Sequence, residues 1–237
     1  MRLKFVQNII DKLRGKSSIK KIYAQHGEDV LIDEIRRLLE IKDFSWIDVG
    51  AYDPVVLSKT MYFYKKGFHG VNIEGDPSLY KNFLKTRKKD ININALVSDE
   101  EGEANFYIIN PPSLNTMDEE EAKRYDSMEG HKLEKVVKVK SILLKSVVDK
   151  YFDGKFPAYL NLDAEGFELK ILKTIDFENN YPKIMCLRVG SYSPVINDNF
   201  DNMMQSERVK FCREKGYAIY AFTSDKIIFV RKDLLNS

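Results

Sequence analysis

Short apolar runs alternate with amphipathic stretches along most of this chain, and several of the runs stop at an acid. Residues 44–49, 70–74, 91–97, 104–109, 136–139, 157–162 and 184–189 read as strands. Between them, residues 57–66, 77–87, 143–151, 167–174 and 202–215 carry helical spacing. Pro77 suits a first helical turn, where its missing N–H is not needed, and Gly67 and Gly216 act as stops. Each parallel return between strands needs a crossover, so this alternation predicts a mainly parallel sheet with helices on both faces. Residues 217–222 and 226–230 flank Thr223-Ser224-Asp225 and close the chain as a hairpin. The expected fold class is α/β: a doubly wound, mainly parallel sheet with a C-terminal antiparallel hairpin.

A chain of 237 residues makes one large domain. Residues 1–43 are expected to be an N-terminal helical segment packing on that domain, and residues 44–237 the domain itself. The first twenty-one residues are basic, and Phe5, Ile9 and Leu13 fit one helical face. A solvated helix is the favoured reading there, and weak contact with an anionic membrane surface is the alternative. Residues 28–40 form a second helical pattern, with Val30, Leu31, Ile35, Leu38 and Leu39 on one side. Residues 110–135 break the alternation: Pro111-Pro112 stops a strand, and four acids follow at 118–121. So charged a stretch is not expected to build core, which leaves a lid or a solvated loop.

Lys plus Arg number 38 and Asp plus Glu 36, a net +2, which does not suggest a nucleic-acid partner. No apolar run reaches the roughly 18 residues of a transmembrane helix, and no secretory signal core is seen, so a cytoplasmic protein is expected. Cys186 and Cys212 have no metal-ligand spacing, and Cys186 lies in an apolar run that predicts a buried thiol.

Ligands of doubly wound sheets bind at the carboxyl ends of the strands, and here Asp48, Glu74 and Asp163 stand at such ends. The first turn, Asp48-Val49-Gly50-Ala51-Tyr52-Asp53-Pro54, has one glycine where a dinucleotide loop has three. It also puts Asp53 where a pyrophosphate would lie, and like charges at ~4 Å repel by about 4 kcal/mol at an effective dielectric near 20. S-adenosylmethionine has no phosphate and carries a sulfonium and an ammonium, so acids such as Asp48 and Asp163 suit it better than NAD. Glu74 is placed to accept two ribose hydroxyls; capping the helix at Pro77 is its plainer alternative. Glu165 either acts in the pocket or caps the next helix, and Glu168 reads as a first-turn helix charge.

Five blocks of sequence, taken together, resemble the FkbM-type methyltransferases. They are Tyr23-Ala24-Gln25-His26-Gly27-Glu28-Asp29, Ile47 through Pro54, Asn72-Ile73-Glu74, Val97 through Glu103, and Leu162-Asp163-Ala164-Glu165-Gly166-Phe167-Glu168, in the family's order. The resemblance spans about residues 23–190. It implies a seven-stranded methyltransferase sheet and S-adenosylmethionine-dependent O-methylation, often of sugars in polysaccharide, glycolipid or antibiotic pathways. It places Gly50, Ala51, Ser58 and Thr60 near the methionine part of the cofactor, Glu74 at the ribose and Ser98 near the adenine. Gln25 belongs to an N-terminal block that closes over the cofactor.

The chain departs from the family in two places. Gly75-Asp76-Pro77 replaces a common Pro-Asn-Pro, and the strand at 184–189 ends in Arg188 where many members have an acid. Mg²⁺ needs several oxygen ligands, and Arg188 repels a cation, so no catalytic metal is expected, although Glu165 keeps that open. Arg188 is instead a candidate for binding an anionic group of the acceptor, such as a uronate or diphosphate. Asp163 is the first candidate for general base, and His131, in the charged excursion, is the second. The expected function is O-methylation of a sugar or sugar nucleotide in glycoconjugate biosynthesis. An N- or carboxyl-methyltransferase, and a non-catalytic cofactor-binding member of a glycan-assembly complex, remain as alternatives.

Overall fold

The computed structural model describes residues 21–190 and 200–235. The helical face expected at Phe5, Ile9 and Leu13 lies outside the described residues. Helix α1 (Glu28–Leu38) leads into β1 (Trp46–Val49), α2 (Met61–Lys65), β2 (Val71–Glu74), α3 (Pro77–Thr86) and β3 (Ile91–Asn94). Strands β4 (Leu96–Ser98) and β5 (Gly102–Asn110), helix α4 (Glu119–Asp126) and strand β6 (Lys132–Leu143) follow. The second half holds α5 (Leu144–Tyr151), β7 (Tyr159–Leu162), α6 (Glu168–Lys173), β8 (Ile184–Arg188), α7 (Phe200–Gln205), α8 (Glu207–Glu214), β9 (Tyr217–Thr223) and β10 (Lys226–Arg231).

Seven strands form one sheet in the order β3-β2-β1-β7-β8-β10-β9. The first five pair in parallel, and β10 runs antiparallel to both β8 and β9. This is the doubly wound sheet with a closing hairpin that the alternation predicts. Every residue of β1, β2, β7 and β8 is buried, because helices cover both faces. Side chains still alternate. Ile47, Val49, Leu160 and Leu162 pack with Val147, Ile171 and Val209 on one face, and Trp46, Tyr159 and Cys186 pack with Ile32, Ile35 and Phe63 on the other. The chain winds outward in both directions from the adjacent strands β1 and β7, so a crevice opens at their carboxyl ends.

The structure corrects four sequence readings. Residues 91–97 are two strands in two sheets, not one strand. Asn94 Nδ2 donates to the carbonyls of Glu74 and Gly75 at 2.8 and 3.0 Å, the chain turns out at Ala95, and β4 pairs with β6 instead. Ala95 is as apolar as its neighbours, so periodicity hides the break. The second correction concerns the charged excursion, which does build a core. Leu114, Ala122 and Tyr125 bury against Tyr107 and Ile109, with Asp118 capping α4 through the N–H groups of Glu120 and Glu121. Third, the helix expected over 202–215 is split by Ser206, whose hydroxyl accepts from Val209 N and starts a new helix. Fourth, α1 buries Glu28, Asp29, Ile32, Asp33 and Ile35 and leaves Leu38 68% exposed. Its buried acids are partnered: Asp29 accepts from the N–H groups of Tyr23 and Ala24, Glu28 from Thr223 Oγ1, and Asp33 from Lys66.

Candidate active site

The crevice between β1 and β7 opens into a cavity of about 610 Å³. Strand order lays out its floor: Glu74 ends β2, Gly50 follows β1, Asp163 follows β7 and Arg188 ends β8. Strands lie about 4.8 Å apart, so the floor runs roughly 14 Å from Glu74 to Arg188. Its centre requires glycine. Gly50 has φ +69°, and a Cβ there would lie 2.0 Å from the Asp163 carbonyl oxygen. The close approach lets Asp163 N donate to Val49 O at 3.1 Å, and Gly50 N and Ala51 N both donate to Ile73 O.

At the β2 end, Glu74 is 5% exposed. Its Oε2 accepts from Tyr52 N and its Oε1 from Asp76 N, both at 2.7 Å. Burial pushes this carboxyl up, the two backbone N–H groups pull it back, and the charges of Asp76 and Asp48 add to the rise, which reaches about 8. Helix capping falls to Asp76, whose Oδ1 accepts from Ser78 N, so Glu74 keeps lone pairs for a ligand. Leu79, Val97, Phe106 and Leu114 supply apolar wall beside it.

At the β8 end, charges converge. Asp163 Oδ1 lies 3.2 Å from Arg188 Nη1, and Oδ2 lies 3.1 Å from Lys226 Nζ and 3.8 Å from Lys59 Nζ. Arg188 Nη1 also contacts Glu165 Oε1, and Lys226 pairs with Asp225 at 3.0 Å. Burial alone would raise the Asp163 carboxyl, but Lys226, Arg188 and Lys59 more than offset it and hold it well below the usual carboxylate range. Glu165 goes the other way. Burial pushes it up, and the charges of Asp163 and Glu168 add to that against the pull of Arg188.

The charged excursion closes the roof. Asn115 Nδ2 donates to Asp76 Oδ2 at 3.1 Å, beside the Glu74 end, and Thr116 Oγ1 donates to the Glu165 carbonyl at 3.2 Å, beside the other. Residues 112–117 therefore wall the cavity. Glu168 is the first-turn acid of α6, as the sequence predicts, and it is fully buried: it accepts from Ala164 N and Gly166 N and faces Arg208, so it also organises the loop.

Gln25, Gly50, Glu74, Asp163, Glu165 and Arg188 line the cavity. Asp48, Ala51, Ser58, Thr60 and Ser98 are buried but do not line it. Asp48 turns inward because both its oxygens are taken: Oδ1 accepts from Asn161 Nδ2 at 2.8 Å and Oδ2 from Thr60 Oγ1 at 2.9 Å. Thr60 and Ser58 also meet the buried guanidinium of Arg87. His131 does not line the cavity; its Nδ1 lies 2.9 Å from the Glu129 carbonyl oxygen. Sequence reasoning missed Lys59, Asp225 and Lys226. Lys59 reads locally as a charge on the helix expected over 57–66, which the structure starts only at Met61, and Asp225 and Lys226 read as ordinary polar residues of a turn and a strand start.

Residues 48–219 match the family described as methyltransferase FkbM domain. The chain belongs to the FkbM methyltransferase family. Among solved structures it is similar to methyltransferase FkbM from Methylobacillus flagellatus KT, at 12% identity and a TM-score of 0.43, over 81% of this chain and 45% of that one. It thus spans less than half the length of that FkbM protein. A second similar structure is precorrin-6y C5,15-methyltransferase from Geobacter metallireducens GS-15, at 11% identity and a TM-score of 0.43, over 90% of this chain and 91% of that one. No curated protein gives a significant match. In this FkbM-family chain, no helix among the described residues is long and apolar enough to cross a membrane.

Proposed function

We propose that this FkbM-family protein transfers a methyl group from S-adenosylmethionine to a hydroxyl oxygen of a sugar or sugar-nucleotide acceptor. The observation that carries the cofactor reading is Glu74, a buried carboxylate fixed by two backbone N–H groups at the edge of a cavity with apolar walls. Such a group accepts ribose hydroxyls. The rest of the floor fits the same ligand: acids lie along it, and the β1 turn holds one glycine and Asp53, which caps its own loop through Val55 N and Val56 N. When bound, S-adenosylmethionine supplies an already activated methyl group. The protein's task is then to hold the acceptor in line and to take its proton. Arg188, Lys59 and Lys226 at the far end suit an acceptor with an anionic substituent.

Thermal unfolding tests the cofactor class. S-adenosylhomocysteine at 100 times its dissociation constant stabilises by about 2.7 kcal/mol, and NAD produces no shift. A shift with NAD and none with S-adenosylhomocysteine would overturn the reading.

Metal dependence follows from the same charges. The oxygens of Asp163 face Arg188, Lys226 and Lys59, and a divalent cation there would meet three positive groups. EDTA is expected to leave methyl transfer unchanged. Loss of transfer on chelation, restored by Mg²⁺, would show that the acids hold a metal.

A further inference from the structure

We propose that Glu165 is the group that takes the acceptor's proton, and that Asp163 is a fixed anion that holds Lys59, Arg188 and Lys226 in place. The proposal rests on the methyl-transfer reading above and deepens it.

The first observation is the difference in how the two carboxylates are partnered. Both oxygens of Asp163 meet cations, three in all. Glu165 meets one, Arg188, through Oε1, and its Oε2 has no hydrogen-bond partner among the described residues. A base needs an unclaimed lone pair, and among the described residues nothing claims that of Glu165 Oε2.

The second observation is position. Glu165 and Arg188 line the main cavity and also a smaller one of about 40 Å³, which Tyr125 and Arg208 line as well. That volume has room for a water or two. Glu165 therefore stands between the acceptor's space and a polar chamber that can carry a proton onward.

The third is backbone conformation. Glu165 has φ +44°, in the left-handed region that side-chain-bearing residues avoid. The conformation is held from three sides. Thr116 Oγ1 donates to its carbonyl, Gly166 follows at φ +105°, and Glu168 gathers the N–H groups of Ala164 and Gly166. Strain of this kind, over-determined by its surroundings, aims a side chain that the local sequence would not aim.

In the step itself, Glu165 takes the hydroxyl proton as the acceptor oxygen bonds to the methyl carbon and the carbon–sulfur electron pair stays with sulfur. The products are the methyl ether, S-adenosylhomocysteine and a protonated Glu165, which returns its proton to water. The charges facing Glu165 tune it. Burial, Asp163 on its own loop and Glu168 at the start of α6 disfavour its ionised form, while Arg188 on β8 and Lys226 on β10 favour it; Glu121 of α4 and Arg208 of α8 line the small chamber beside it, one of each sign. The balance lies above the ordinary carboxylate range, which suits a base working near neutral pH.

Two readouts test this with S-adenosylhomocysteine as the probe. In a ¹³C carboxyl NMR titration of the wild-type complex, one glutamate is expected to titrate near neutral pH. Its signal disappears in Glu165→Gln and moves to the aspartate region in Glu165→Asp, while Asp163 stays ionised throughout. A Glu165 carboxyl titrating at or below about 4.3 overturns the proposal. In calorimetry, Glu165→Gln is expected to keep S-adenosylhomocysteine affinity within about threefold, since the residue serves the acceptor. A loss as large as that of Glu74→Ala would make Glu165 a cofactor-holding group and overturn the proposal. Failure of the wild type to bind S-adenosylhomocysteine at all would instead sink the methyl-transfer reading, a distinct result.

Discussion

Glu74→Ala is expected to weaken S-adenosylhomocysteine binding by about 2–4 kcal/mol, roughly 30- to 1,000-fold, because it removes two charge-assisted hydrogen bonds to ribose hydroxyls. The wild-type affinity is also expected to depend on pH. Burial and the Asp76 and Asp48 charges hold the empty site's Glu74 carboxyl at about 8. Ribose hydroxyls donate to the ionised form, so binding drives the proton off, and affinity rises by up to about tenfold per pH unit until pH passes about 8. Calorimetry at pH 7 in buffers of different ionisation enthalpy should detect proton release, and Glu74→Ala should show neither the release nor the slope. The empty protein should show the opposite trend in stability. A carboxyl raised from its ordinary value near 4.5 to about 8 keeps a proton that the unfolded chain has lost, so its contribution to stability falls between those two pH values and is level above them. An affinity for S-adenosylhomocysteine that ignores both pH and Glu74→Ala would remove Glu74 from the ribose.

Asp163→Asn is expected to destabilise the fold by about 3–5 kcal/mol, the range for breaking a buried ion pair from one side. Lys226, Arg188 and Lys59 side chains are 3%, 9% and 11% exposed, and the substitution leaves them with a net positive charge away from water. Urea unfolding at pH 7 measures the loss. Lys226→Met in the same chain should restore part of it, since a matched apolar replacement removes the orphaned charge. The native Asp163 carboxyl is held well below the usual range, so its contribution is present above the ordinary carboxylate pKa and is lost only as pH falls through the folded value in strong acid. Stability lost from this residue between pH 5 and pH 8 would contradict the assignment, as would a cost for Asp163→Asn below about 1 kcal/mol.

Some of the site was legible because the physics that places it is local. Glu74 and Asp163 stand where an apolar run ends, and the tips of strands buried on both faces are where a sheet of this kind opens its crevice. Gly50 was legible as the single glycine of the first turn, although the reason for it, the Asp163 carbonyl 2.0 Å from a Cβ, belongs to another strand. Asp48 shows the limit of reading from strand ends. It sits one residue inside the end of β1, and that single step turns its side chain toward Asn161 and Thr60.

By itself, then, the sequence determined the alternation of strands and helices, the closing hairpin and the acids near the carboxyl edge, because a period of two or 3.6 residues and the chemistry of a turn act over a few neighbours. Tertiary structure decided the rest. It split residues 91–97 between two sheets because Asn94 binds the backbone at the end of β2 and β4 finds β6 as its partner. It gave the charged excursion a core because Tyr125 and Leu114 meet Tyr107 and Ile109 of β5. It also set two neighbouring carboxylates to different charge environments. Asp163 and Glu165 differ little in sequence context, but Lys59 and Lys226 reach Asp163 from a loop after β1 and from the final strand, and only the folded sheet brings those segments together.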